Sequence, residues 1–157
     1  MCTMATETTG DHQASTVARG TLDLPVLTWV RLMRVYQKIH ARTARSFKCW
    51  NLSVSRFDVL NHAGVKEGRT QQELADALLV TKGNIVQLLD GMEAEGLLYR
   101  RRSGRTNLIY LTDRGRELRR NAIETHEASI AEEMSALSPE EQQTLLALLR
   151  KLDRALT

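Results

Sequence analysis

Lys82, Gly83, Asn84 and Gln87 lie close together near the middle of the 157-residue chain, and as a set they could read the edge of a nucleic-acid duplex. Asparagine and glutamine side chains each carry a donor and an acceptor that match adenine, and a lysine reaches guanine or phosphate. A glycine among them removes the side chain that would hold a helix off a sugar–phosphate backbone. Further on, Arg100, Arg101, Arg102 and Arg105 flank Ser103-Gly104. Guanidinium groups at the tip of a hairpin suit phosphate or a narrow minor groove. Each residue type also has an ordinary use: Gln and Lys are common on surfaces, and arginine tips keep edge strands from pairing with other chains.

Those residues need elements to position them. Thr70-Gln71-Gln72-Glu73 has the spacing of a capping box and predicts a helix ending near Leu78. After a short turn a second helix is expected from Thr81 to Glu95, stopping at Gly96. Ala75 lets the two helices cross closely, and Leu74, Leu78, Val80, Ile85 and Leu88 lock them together. Leu79 stands where many such turns carry glycine. Ile85, Leu88, Leu89 and Met92 then share the buried face of the second helix, leaving Lys82, Gly83, Asn84 and Gln87 outward. Its N-terminus, with free N–H groups and partial positive charge, favours phosphate. Thr81 at that end, and Thr70 and Gln71 at the start of the preceding helix, complete the candidate contacts.

Two extended segments follow, residues 97–102 and 105–111, with Ser103-Gly104 as the expected two-residue turn. That register sets Arg102 opposite Arg105 and Arg100 opposite Asn107. Like charges facing each other across a ladder repel, and a nearby polyanion would reverse the sign.

The remainder of the chain reads as helical. A first helix is expected over Pro25–Phe47, with Trp29, Met33, Tyr36 and His40 on one side and five basic residues on the other. Ser53 caps a short helix carrying Phe57, Val59 and Leu60. Thr112 caps a long helix reaching about Met134, and Ser138-Pro139-Glu140-Glu141 opens a last one. Leu145, Leu148, Leu149, Leu152 and Leu156 form a seam on that final helix. At about 27 Å it is too large an apolar face to leave in water.

Composition narrows the function classes. The net charge is +3, 42% of residues are hydrophobic and 4% aromatic. Charge is segregated: residues 24–50 and 99–120 each sum to +6, and the other blocks are acidic. Segregated positive charge is the electrostatic footprint of a nucleic-acid binder. No apolar run approaches the roughly 20 residues needed to span a bilayer, and no secretory signal is visible, so a cytoplasmic protein is expected. Cys2 and Cys49 suggest no disulfide framework. The four histidines, His12, His40, His62 and His126, show no paired ligand spacing, and no phosphate loop or nucleophile motif is present. Neither an enzyme, a metal site nor a cofactor is expected.

Residues 22–156 resemble the MarR family (multiple antibiotic resistance regulators) of winged helix-turn-helix transcription factors. The resemblance is carried by Ser55-Arg56-Phe57-Asp58-Val59-Leu60, Thr70-Gln71-Gln72-Glu73-Leu74-Ala75, Val80 through Leu97, and Gly104 through Gly115. It implies a mainly α fold: a winged helix-turn-helix part over 50–116 with a two-stranded wing, dimerisation helices over 21–49 and 117–156, and a tail over 1–20. It implies a homodimeric repressor that binds double-stranded DNA at a palindromic operator, without a membrane association. The family's wing usually carries Asp-x-Arg; here Ser103 stands at the Asp position and Arg105 at the Arg position. Many relatives release DNA when a small aromatic or phenolic molecule, or an oxidant, acts on them. The corresponding effector candidates are Trp29, Met33, Tyr36, His40 and His62. The rival readings are a thiol switch at Cys49 and a helical protein-interaction module whose basic hairpin binds an acidic partner.

Overall fold

The computed structural model describes residues 23–156. The expected tail over 1–20, with Cys2 and His12, lies outside the described residues. The elements run α1 (Leu24–Ser46), a single 3-10 turn (Phe47–Trp50), α2 (Val54–Val65), β1 (Arg69–Thr70), α3 (Gln71–Ala77), α4 (Lys82–Ala94), β2 (Leu98–Ser103), β3 (Thr106–Leu111), α5 (Asp113–Met134) and α6 (Pro139–Ala155). By packing, the chain divides into two units, Met1–Arg34 and Val35–Thr157. The described part of the first is the N-terminal half of α1, whose Leu24, Val26, Leu27, Trp29 and Val30 are exposed.

In the second unit the core gathers Phe47, Phe57, Leu60, Leu74, Ile85, Leu89, Met92, Leu98, Ile109 and Leu111, all buried. Complete burial of each such side chain contributes roughly 1.5–3 kcal/mol, so this cluster fixes α2, α3 and α4 against the sheet. The helix starts follow the sequence. Thr70 with Glu73 and Ser138 with Glu141 form complete capping boxes, and the hydroxyls of Ser53, Thr81 and Thr112 accept from Arg56, Asn84 and Gly115 N–H groups.

Two helices end in the same way. At the end of α4, Gly96 N–H donates to Glu93 C=O and Leu97 N–H to Met92 C=O, with Gly96 at φ +70°. At the end of α3, Leu79 N–H donates to Asp76 C=O and Val80 N–H to Ala75 C=O, with Leu79 at φ +54°. Both are Schellman motifs, and the second sets leucine where the left-handed backbone favours glycine.

The two-stranded wing is the β2–β3 hairpin, and the sheet that contains it departs from expectation in two ways. It is three-stranded, in the order β1-β3-β2, because Arg69 and Thr70 pair with Ile109 and Leu108. A two-residue strand is too short to show any periodicity. The hairpin register also differs: Ser103 faces Thr106, Arg102 faces Asn107 and Arg100 faces Ile109. The turn residues are therefore Gly104-Arg105. Gly104 lies at φ +60° and Arg105 is not among the positive-φ residues, the pattern of a II′ turn with glycine first. Arg102 and Arg105 are thus not cross-strand partners, and the expected like-charge pair does not form.

Candidate nucleic-acid interface

The buried side of α4 is Ile85, Leu89 and Met92, and its other side carries the candidate readers into solvent. Lys82, Gly83, Asn84 and Gln87 are all exposed. None of the Lys82, Asn84 or Gln87 side chains bonds to another described residue. The Thr81 hydroxyl takes the Asn84 N–H at 3.3 Å, which leaves the N–H groups of Lys82 and Gly83 unclaimed at the positive end of the helix. A Cβ added at Gly83 would meet nothing within 4 Å, so the fold itself has no need of glycine there.

On the helix before the turn, Thr70 is occupied in capping. Its N–H donates to the Glu73 carboxylate at 2.7 Å, and its hydroxyl accepts from Glu73 N–H at 3.1 Å. The bond from the Thr70 N–H is the largest cause that holds the Glu73 carboxyl below the usual range. Gln71 is half-buried beside it.

The wing arginines divide into distinct roles. Arg100 turns back onto α4, where its guanidinium pairs with Glu93 and with Asp90, the latter at 2.6 Å. Only 16% of its side chain is exposed. The charge expected to anchor phosphate is here paired within the fold. Arg101 lies with its guanidinium carbon 4.5 Å from the centre of the Tyr110 ring and donates to the Tyr110 hydroxyl. Tyr110 in turn stacks on Tyr99 at 5.5 Å. The Arg102 Nε donates to Gly104 C=O at 3.3 Å, which lays its side chain along the turn. Arg105 occupies the turn itself, exposed, with no ion pair or hydrogen bond to the described residues. No bond joins Ser103 to Arg105; the Thr106 hydroxyl instead donates to Ser103 C=O at 3.0 Å and closes the turn.

Asp90 and Glu93, which pair with Arg100, and Tyr110, which takes Arg101, are partners that sequence reasoning missed. The signal for Asp90 and Glu93 was a carboxylate pair one helical turn apart, followed by the Gly96 reversal and an arginine. Where the chain returns on itself, such charges meet.

The effector candidates are less concentrated. Trp29 is 58% exposed in the first unit, where Met33 also lies. In the second unit Tyr36 is exposed and its ring centre is 5.8 Å from that of His40. His40 is itself exposed. His40 and His62 do fall within electrostatic reach of Asp58, together with His126, which sequence reasoning left unassigned. Burial pushes the Asp58 carboxyl up, and the three imidazoles oppose that. The clefts lined by Met134, Gln142 and Leu149 and by Gly64, Arg116 and Arg119 include none of the candidates.

Cys49 is exposed and its thiol donates to Ser46 C=O at 3.1 Å. Among the described residues no group of three or more His, Cys, Asp or Glu side chains is placed to hold a metal ion. No described helix is long and apolar enough to cross a membrane. Every leucine of the α6 seam is exposed, from Leu145 at 37% to Leu156 at 80%, and α6 has no buried residue.

Comparison with known proteins agrees with this geometry. The MarR family model matches residues 50–106, the segment from the end of the 3-10 turn to the wing. An uncharacterised HTH-type transcriptional regulator of Bacillus cereus is 30% identical over 131 residues, covering 82% of this chain and 88% of the relative. A MarR family regulator from Silicibacter pomeroyi, 25% identical, superposes with a TM-score of 0.70 over 80% of this chain and 86% of its own. A Mycobacterium tuberculosis MarR family protein, solved in complex with salicylic acid, is 26% identical with a TM-score of 0.64 over 82% and 95%. The exposed N-terminus of α4, the basic wing beside it and these relatives lead to one conclusion: the chain belongs to the MarR family of winged helix-turn-helix, DNA-binding transcriptional regulators.

Proposed function

We propose that this regulator is a ligand-responsive repressor that binds a palindromic operator as a homodimer. In each protomer Lys82, Asn84 and Gln87 read the major groove, and Thr81, Gly83, Thr70 and Gln71 allow and fix the approach to the backbone. Arg105 enters the minor groove, and Arg101 and Arg102 hold flanking phosphates. Arg100 instead positions the wing. Residues 50–116 form the DNA-binding part, and 21–49 and 117–156 carry dimerisation. The observation that carries this reading is the set of exposed polar side chains at the start of α4 that have no partner among the described residues. Unpaired readers beside a cationic hairpin are what a duplex would satisfy.

The dimer is supported by the α6 leucines, whose apolar face is left exposed by the described residues. Two recognition helices roughly 34–36 Å apart would then meet successive major grooves. Effector release is supported by the salicylic acid complex of the M. tuberculosis relative. A small aromatic carboxylate or phenol acting near Trp29, Met33, Tyr36, His40 or His62 is the corresponding ligand class here. Selection of tight-binding duplexes from random sequence tests the reading. Binding to the selected site is expected to exceed binding to unrelated duplex by about 10³ or more, and to weaken on adding salicylate. Equal affinity for all duplexes would overturn it. Light scattering should give twice 17.8 kDa for the wild type and the single mass for Leu152→Asp; a wild-type monomer would remove the dimer.

A further inference from the structure

Leu79 occupies the left-handed position of the Schellman motif that ends α3, at φ +54°. The other positive-φ positions among the described residues are Gly68, Gly96, Gly104 and Asn51, residues that tolerate this backbone. For leucine the Cβ presses on the following carbonyl, and the fold is weakened. Burial offers no compensation, because Leu79 is 94% exposed. It is absent from the core and from the apolar residues packed around it. A strained residue whose side chain has no use within the fold points to a partner outside it.

The location names that partner. Leu79 immediately precedes Val80 and Thr81, the entry into α4, and lies on the chain just ahead of Lys82. The major-groove edge of a duplex is polar except for one group, the C5-methyl of thymine. Lys82, Asn84 and Gln87 are polar readers and gain little from that methyl. We propose that Leu79 is a specificity-determining residue for DNA, its isobutyl group packing on a thymine methyl beside the N-terminus of α4. This rests on the reading that the same end of α4 meets the duplex.

The probe is a duplex selected from random sequence for tight binding, with each thymine replaced in turn by deoxyuridine, which lacks only the methyl group. Wild-type protein is expected to lose about fourfold in affinity at one thymine per half-site, the loss expected for one buried methyl. Leu79→Ala keeps the strained backbone and is expected to bind the two duplexes equally. Leu79→Gly is expected to melt at a higher temperature than wild type and yet bind the thymine duplex more weakly. Lys82→Ala separates the two levels. If it leaves affinity unchanged, the start of α4 does not meet DNA and both readings fail. If it weakens binding while Leu79→Ala stays as sensitive to each methyl as wild type, the assignment of Leu79 alone is overturned.

Discussion

Arg100 on β2 grips Glu93 on α4 twice: its backbone N–H donates to one carboxylate oxygen at 2.9 Å, and its guanidinium pairs with the other. Asp90, one turn earlier on the same helix, takes a second guanidinium nitrogen at 2.6 Å. The first strand of the wing is thereby fastened to the helix that carries the candidate readers. Wing and helix can meet one duplex together only if their separation is fixed, and this clamp helps to fix it.

Arg100→Ala should therefore act on stability before it acts on phosphate. Glu93 would be left half-covered without its partner, and the unfolding free energy should fall by about 1–3 kcal/mol. The salt dependence of DNA binding should keep its slope. Arg102→Ala, in contrast, should leave stability nearly unchanged and flatten that slope by about one charge. Urea denaturation and fluorescence anisotropy across a salt series separate the two effects.

Gln87 makes no side-chain bond to the described residues, so Gln87→Ala should leave the melting temperature close to wild type. Discrimination at one base pair per half-site should fall by about 1–3 kcal/mol. Competition binding with single-base operator variants measures this. Uniform weakening across all variants would assign Gln87 to the backbone instead.

Gly115, in the first turn of α5, is buried directly against the Leu97 carbonyl, and a Cβ there would overlap that oxygen. The same carbonyl accepts the Thr112 N–H at 3.1 Å. Gly115→Ala must displace backbone at the junction of α4, the wing and α5, so a loss of about 2–3 kcal/mol is expected. Thermal unfolding checks it, with Gly91→Ala, which has open space around it, as the tolerated comparison.

Asp58 supplies a pH test. Burial raises its carboxyl above the ordinary value of 3.8, against the attraction of His62, His126 and His40. The folded chain therefore binds this proton more tightly than the unfolded chain. Ionised at neutral pH, Asp58 weakens the fold, and the deficit vanishes as pH falls through the folded value toward 3.8. Asp58→Asn should be more stable than wild type at pH 7, with a difference that shrinks toward pH 4. Denaturation at a series of pH values checks this, and a pH-independent difference would contradict it.

Much of the architecture was legible because its signals are local. Thr70 with Glu73 and Ser138 with Glu141 sit three residues apart, and each pair closes on itself wherever the helix starts. The outward placing of Lys82, Asn84 and Gln87 followed from the apolar period of α4. The wing was harder. Its register depends on which residue of Ser103-Gly104-Arg105 can take a positive φ first, and glycine at the leading turn position shifted every pairing. The partners of Arg100 were not legible because they are defined by the fold of α4 against β2, after the reversal at Gly96. The strain at Leu79 was hidden for a similar reason. A leucine in a turn is unremarked until the backbone angle and the exposure are known together.

The claim that α4 and the wing grip one duplex, in two symmetric copies, is tested most directly by hydroxyl-radical footprinting on a selected operator. Two protected segments are expected, centred about 10–10.5 base pairs apart, each flanked by minor-groove protection that disappears with Arg105→Ala. A single protected segment, or flanks that survive Arg105→Ala, would contradict the account.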